Sequence, residues 1–246
     1  MCSSDLDTSS GATALTLPLL NEAGVLQIGP QSGYVGLTRP AGRGEPDRFY
    51  PSGQRSFGRI APADDTGADV LLQAMEEAGV RRVAVLDDGE LDAIGTAALL
   101  TRRAQSAGIE VVDERSVETD EDDQSGLARD VVATGADAVL YAGTRTDAAA
   151  TALNALHRAD PALSLFGTAG LADPSLARAV DADTARRLLL ASPVVPLDGL
   201  PAAAARFSRA FEEEFGREPA PRALFAYEAM RAILAAVEAA GVKGND

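Results

Sequence analysis

An α/β class with a mostly parallel sheet and helices on both faces is what this chain of 246 residues predicts. Three observations carry that reading. The stretch from Gly79 to Leu100 runs from a short apolar segment, Val83-Ala84-Val85-Leu86, through an acidic break, Asp87-Asp88-Gly89, into a small-residue helical pattern that begins near Ala93. Strand, acidic turn and helix make one βα unit. The segments on either side repeat the scheme, and Gly79, Gly108 and Gly135 stand where a glycine closes a helix. In open α/β sheets the turn after the carboxyl end of a strand is where ligands bind, so these turns are the places to search for function.

Taken in order, Gly11 to Ala23 reads as a helix, with Ser9 and Ser10 as N-cap candidates and Gly24 as its closing residue. Val25 to Ile28 is a short strand, and Gly29-Pro30-Gln31-Ser32-Gly33 is the loop at its carboxyl end. Arg39 to Arg55 is rich in Pro, Gly and Arg without a period, which predicts a surface loop or a linker between lobes. Ser56 to Ile60 is a short extended piece.

From Asp65 the alternation is regular. Helices are expected over residues 67–78, 93–107, 126–134, 147–158 and 175–180, and strands over 83–86, 109–112, 138–141, 163–166 and 187–191. The acidic turn Glu118 to Asp123 suits the helix start that follows it. After Pro193 two helices, 200–215 and 222–240, follow with no strand between them and are expected to return to the other lobe.

Composition narrows the function. A hydrophobic fraction of 46% with only 4% aromatic residues calls for a core of small aliphatics. The formal net charge of −15 argues against a nucleic-acid partner, because phosphate binding is driven by Lys and Arg. The pairs Arg81-Arg82, Arg102-Arg103 and Arg186-Arg187 are scattered among acids and read as solvated surface. Cys2 is the only cysteine, so no internal disulfide forms and the redox compartment is not legible from cysteine usage. No apolar run reaches the roughly 18 residues of a membrane span.

The ends read as cut. Cys2 to Leu6 (CSSDL) resembles the mature end of a lipoprotein without the apolar segment that would precede it, and it is also what a common sequencing-adapter end encodes, which is the favoured reading. Residues 1–9 are therefore expected to be foreign to the domain, and the chain is expected to be a fragment at both ends.

No phosphate cradle of the G-x-x-x-x-G-K-[ST] or G-x-G-x-x-G type is present. His157 is the only histidine, and its place in a helix beside Arg158 reads as surface. No nucleophile elbow and no Cys/His zinc cluster occur. Glu118 to Asp123 lacks the spaced frame of a calcium loop. An enzyme is not expected, nor a cofactor or a metal. What remains is a set of small polar loops at strand ends: Ser10, Gln31-Ser32-Gly33, Asp87 to Asp92, Thr144 and Thr168-Ala169-Gly170. Short side chains and exposed backbone N–H groups suit a small polar ligand.

Leu17 to Thr38 (LPLLNEAGVLQIGPQSGYVGLT), Phe49 to Asp64 (FYPSGQRSFGRIAPAD), Gly167 to Pro174 (GTAGLADP) and Phe225 to Met230 (FAYEAM) together resemble the branched-chain amino-acid type of periplasmic binding protein. This is the type I binding fold that feeds ABC importers, and the resemblance runs from Ser10 onward in the family's order. It implies two α/β lobes closing over a ligand, with residues 10–58 and 193–246 in a first, incomplete lobe and 59–192 in the second. It implies an extracytoplasmic, non-enzymatic solute-binding protein with ABC permease subunits as partners. The other reading it leaves is the ligand-sensing domain of a regulator or receptor.

Residue by residue, the resemblance implies ligand contacts at Ser10, Gln31, Ser32, Gly33, Asp92, Thr144 and Ala169. Ser10 falls at a serine that helps hold the ligand carboxylate. The loop after Ile28 usually reads Ser-Pro-x-x-Thr, and Gly33 stands in place of its threonine hydroxyl. Asp92 and Thr144 fall where tyrosines are usual. Ala169 falls where an acid pairs with the ligand's α-ammonium. A buried ammonium without a carboxylate is costly, so either Asp92 takes that role or the ligand is not an α-amino acid; the second is the expectation.

Overall fold

The computed structural model describes residues 4–6, 9–193, 201–220 and 222–240. The chain divides into two compact units, Met1–Ala63 with Pro193–Asp246 and Asp64–Ser192. Each holds its own parallel sheet.

The larger sheet belongs to Asp64–Ser192. Its strands are β4 (Arg82–Asp87), β5 (Glu110–Ser116), β6 (Ala138–Ala142), β7 (Ser164–Gly167) and β8 (Leu188–Leu190), in spatial order β5-β4-β6-β7-β8. Every neighbouring pair is parallel. The helices between them are α2 (Asp64–Glu77), α3 (Leu91–Ser106), α4 (Ser125–Ala133), α5 (Thr146–Ala159), α6 (Pro174–Ala179) and α7 (Ala182–Arg187). A parallel sheet needs crossovers, and crossover helices cover both faces, so its central strands are apolar throughout.

That is what β4 and β6 show, with every residue from Val83 to Asp87 and from Ala138 to Ala142 buried. Alternation at period two splits them between two cores. Ala84, Leu86, Val139, Tyr141 and Leu165 pack with α4 and α5 through Val131, Leu153 and Leu156. Val83, Val85, Ala138, Leu140 and Phe166 pack with α2 and α3 through Leu71, Met75, Ala97 and Leu100. The expected shortage of aromatics is met on α5 by buried Ala148, Ala149, Ala150, Ala152 and Ala155, which let the helix lie close to the sheet.

The strands and helices of this unit appear where the periodicity put them, most within a residue or two and α2 beginning three residues early, and Gly79 closes α2 with φ 76°. Two features differ. Strand β5 runs to Ser116 because its outer half continues to pair with β4, although the residues from Asp113 on are polar and none of them is buried. Helix α7 was not expected; Thr184 is its one buried residue, so no apolar stripe announces it. Asp123 fulfils the helix-start role expected of the acidic turn, accepting from Ser125 N at 2.9 Å. His157, expected on the surface, is half-buried in α5.

The other unit begins with β1 (Ser4–Leu6), inside the stretch read as foreign to the domain; it pairs parallel with β2 (Leu26–Gly29). Strand β2 pairs on its other side with β3 (Phe57–Arg59). Residues 59–63, expected with the second lobe, therefore sit with this unit, since Arg59 is opposite Gly29 in the ladder. Helix α1 (Ser10–Glu22) follows β1, and Ser9 caps it, its hydroxyl accepting from Ala12 N at 3.1 Å. Helices α8 (Ala202–Phe215) and α9 (Ala223–Ala240) complete the unit; Ala229 and Ile233 of α9 pack on Ile28 and Ile60. The start expected for α8, Leu200, lies outside the described residues. Phe207 stacks on Tyr227 with ring centroids 4.4 Å apart, joining the two helices. Leu15 and Leu19 of α1 and Leu234 of α9 are exposed.

The Pro/Gly/Arg-rich stretch is neither a linker nor a simple surface loop. Phe49 and Tyr50 are buried against Leu17 and Leu37, and the Tyr50 hydroxyl donates to Leu37 O at 2.7 Å. Glu45 is the hub. Its buried carboxylate accepts from Tyr34 OH (2.7 Å), Gly42 N (2.7 Å) and Arg48 Nη2 (2.6 Å). Asn21 of α1 ties the far end of the stretch, donating to Gln54 O (2.8 Å) and Ser56 Oγ (2.7 Å) and accepting from Ser52 N (2.9 Å). Irregular backbone is held here by polar side chains where no ladder serves it.

Removing Glu45 takes the shared carboxylate from three donors, whereas removing the Tyr34 hydroxyl leaves that carboxylate with the other two. Glu45→Ala is expected to cost about 3 kcal/mol and Tyr34→Phe about 1 kcal/mol, measured by urea unfolding of the two variants; equal costs would show that the carboxylate is not the hub.

Candidate functional site

Strand order in the five-stranded sheet fixes where its crevice lies. The chain leaves β4 for β5 on one side and then crosses to β6 on the other. The switch point is therefore at the carboxyl ends of β4 and β6, where ligands bind in open α/β sheets. Three loops meet there: residues 88–90 after β4, Gly143–Arg145 after β6, and Thr168–Gly170 after β7.

Asp88 joins the first two. It is 4% exposed, and its Oδ2 accepts from Thr144 N at 2.7 Å and Arg145 N at 3.0 Å. Its Oδ1 accepts from Glu90 N at 3.3 Å. Asp87 turns the other way, accepting from Ser116 Oγ (2.7 Å) and Gly89 N (2.8 Å). The second and third loops are joined by Gly143 N, which donates to Thr168 Oγ1 at 3.3 Å, and by Thr168 N, which donates to Tyr141 O at 3.1 Å. This packing requires glycine. A Cβ on Gly143 would stand 2.5 Å from Asp88 Oδ2 and 3.1 Å from the Tyr141 ring, and a Cβ on Gly170 would collide with Gly143 O.

Of the expected site residues in this unit, Asp92 lies in the first turn of α3, half-buried. Burial pushes its carboxyl above the ordinary value of 3.8, and the charges of Asp88 and Glu90 add to the effect. Thr144 is exposed, and Ala169 opens the short 3-10 turn Ala169–Leu171, half-buried. Asp92, Thr144 and Ala169 thus all stand on elements that begin at carboxyl ends of neighbouring strands. The Tyr141 hydroxyl is buried with no hydrogen-bond partner among the described residues, and its pKa is raised first by burial and then by the charges of Asp88 and Asp87.

In the three-stranded unit, the loop after β2 lies against the start of α1. Ser10 is 6% exposed, and its hydroxyl accepts from Tyr34 N at 3.0 Å. Ser32 is fully buried; its hydroxyl meets Thr13 Oγ1 at 2.7 Å and donates to Ser9 O at 3.2 Å, so it holds the loop onto α1. Gln31 Oε1 accepts from Arg222 Nη1 at 3.4 Å. Gly33 lends its carbonyl to Arg59 Nη1 at 2.8 Å, while Arg59 Nη2 reaches Tyr34 O (2.9 Å) and Thr38 Oγ1 (2.8 Å). Ser10, Gln31, Ser32 and Gly33 are thus one cluster.

Sequence reasoning missed Asp88, Arg59 and Thr13 as the groups that position these loops. Asp88 reads as a turn residue in Asp87-Asp88-Gly89, and its partners lie 56 and 57 positions away. Among the described residues no group of three or more His, Cys, Asp or Glu could hold a metal ion, and no helix is long and apolar enough to cross a membrane.

A doubly wound parallel sheet with polar loops at its switch point, in a chain whose other unit holds a parallel sheet of its own, is the α/β architecture of the periplasmic type I binding fold. The family model for periplasmic binding proteins matches residues 6–246, and the chain belongs to that family. Among solved structures it is similar to the leucine binding protein LivK of Thermotoga maritima, with TM-score 0.79 and 20% identity over 96% of this chain and 63% of that one. It is also similar to the branched-chain amino acid transporter substrate binding protein LivJ of Streptococcus pneumoniae, solved in complex with isoleucine (0.74, 20%, 93% and 62%). A third is the solute binding protein of an ABC transporter from Rhodopseudomonas palustris, solved in complex with benzoate (0.70, 18%, 92% and 59%). The chain thus spans less than two thirds of the length of each of these relatives. No curated protein matches it. The α/β fold expected from the periodicity, and the family expected from the resemblance, are both what the comparisons show.

Gly143→Ala is expected to destabilise by about 1–3 kcal/mol, the cost of forcing atoms into a packed place; a Tm equal to that of the parent chain would refute the close approach. Asp92 carries the opposite sign. Its folded-state pKa is raised, so the penalty on its charged form is absent below 3.8 and grows as pH rises through the folded value. Asp92→Asn is therefore expected to raise Tm at pH 7, with the gain vanishing as pH falls through that range; thermal melts across pH would show it, and a lowered Tm at pH 7 would contradict it.

Proposed function

We propose that this chain is the ligand-binding body of an extracytoplasmic solute-binding protein for an ABC importer, with permease subunits as its partners and no catalytic step of its own. The observation that supports it most is the family match over residues 6–246, together with small polar groups at strand ends and no general base held by an orienting partner among them. Ser10, Gln31, Ser32, Gly33, Asp92, Thr144 and Ala169 are the residues assigned to the ligand. Ser32, its hydroxyl spent on Thr13 and Ser9, serves by shaping the loop, whereas Ser10 still has a hydroxyl proton to donate.

The ligand is a small carboxylate without an α-ammonium group. Isoleucine and benzoate, the molecules in two of the similar structures, share a carboxylate and differ in the ammonium. Ala169, which the family resemblance aligns with the acid that pairs with an α-ammonium, provides no charge for it. An ammonium taken out of water beside an alanine has lost its hydration without a replacement.

Isothermal titration of the chain with leucine, isoleucine, valine and a panel of small carboxylates, benzoate first, tests this. No heat is expected from the three amino acids. At least one of the others is expected to bind with Kd in the micromolar range, about −8 kcal/mol, and Ser10→Ala to weaken it about tenfold, the worth of one hydrogen bond to a charged group. Micromolar binding of any of the three amino acids would overturn the ligand assignment, and a panel in which nothing binds would overturn the function.

A further inference from the structure

A carboxylate held in the three-stranded unit needs more than Ser10 supplies. Its oxygens lose water on binding, and a buried anion is costly unless charge and hydrogen bonds replace that water. The loop after β2 is poor in both. Gly33 has no hydroxyl, the Ser32 hydroxyl is engaged with Thr13 and Ser9, and Ser10 has a single proton to give. The chain as a whole carries a formal net charge of −15, which repels an anion. A local cation is therefore required, and the guanidinium groups of Arg59 and Arg222 both reach this loop.

The two are not equivalent. Arg59 is committed to the loop's own carbonyls and to Thr38, with Nη1 on Gly33 O at 2.8 Å and Nη2 on Tyr34 O at 2.9 Å and Thr38 Oγ1 at 2.8 Å. Arg222, just before α9, meets the loop through a side chain, donating from Nη1 to Gln31 Oε1 at 3.4 Å. That length is at the outer limit of a hydrogen bond, and Gln31 is a neutral, half-buried acceptor that an anion outcompetes. The Nε and Nη2 atoms of Arg222 are shielded from solvent, so its charge acts through a medium less polar than water.

We infer that Arg222 is a specificity-determining residue of the three-stranded unit: its guanidinium takes the ligand carboxylate in place of the Gln31 amide oxygen, and so selects carboxylates over neutral molecules of the same shape. This deepens the proposed function and rests on it. A planar guanidinium suits a carboxylate because it offers parallel N–H groups to both oxygens. Ser10 and Arg222 touch the same short loop, at Tyr34 N and at Gln31. A neutral ligand gains little from the exchange, since one uncharged oxygen replaces another on Nη1.

The test compares acids with their amides by isothermal titration of the whole chain and of Arg222→Gln. The pairs are benzoate with benzamide, and isocaproate, which is leucine without its ammonium group, with isocaproamide. In the parent chain at least one acid binds in the micromolar range, and its amide binds about tenfold to hundredfold more weakly, the worth of a hydrogen bond to a charged group. In Arg222→Gln the acid weakens by that factor and the amide keeps its affinity. A residue that only braced the loop would weaken acid and amide alike, so their ratio is the readout. Should the glutamine variant not fold, Arg222→Lys carries the test: it keeps the charge and loses the planar fork, and the ratio still falls. An acid that binds parent and variant equally, or an amide that binds the parent as tightly as its acid, overturns the inference and leaves solute binding standing. If none of these four binds while another carboxylate of the calorimetric panel does, that acid and its amide take their place. Failure of the entire panel removes the proposed function and this inference with it.

Discussion

Burial of both faces of β4 and β6 is the constraint on which the five-stranded unit depends. A strand flanked by parallel neighbours and covered above and below has no face left for polar side chains. Its sequence is therefore confined to apolar residues, alternately committed to the α4/α5 side and the α2/α3 side. Polar groups are released only where the strands end. Asp87 and Asp88 follow directly on Leu86, and Gly143 and Thr144 on Ala142. The chemistry of the unit is concentrated at one edge because the core excludes it everywhere else.

At that edge the loops are held together for an electrostatic reason. A carboxylate nearly removed from water is costly unless its lone pairs are met, and Asp88 meets them with backbone N–H groups from two loops. One of those N–H groups, that of Arg145, opens helix α5 and has no partner within it. Two liabilities cancel in one contact, and glycine at position 143 is the steric condition for it.

The three-stranded unit solves the same problem differently. With a short sheet and a long irregular stretch from Arg39 to Arg55, it relies on single polar side chains that each serve several backbone groups: Glu45, Asn21 and Arg59. The contrast explains the uneven legibility of the two units. Between Asp65 and Ala191 hydrophobic period and closing glycines place nearly every element, because double burial writes a strong pattern. In the stretch from Arg39 to Arg55 no period exists to be read, and the burial of Phe49 and Tyr50 depends on Leu17 and Leu37, which are remote in the chain.

The amino-acid order alone determined the class, the alternation of elements and the loops that bear polar groups, since these follow from local propensity and from a hydrophobic repeat. It also carried the family resemblance, through short motifs in a fixed order. Tertiary structure alone decided which member of each loop is spent on holding the fold and which is left exposed. Ser32 and Asp88 are drawn inward and Thr144 outward, although all three look alike as turn residues. The distinction is made by partners tens of positions away, Ser9 and Thr13 for one, Thr144 and Arg145 for another. A hydrogen bond across such a separation leaves no periodic trace, because it needs only one donor and one acceptor brought together by the packing of everything between them.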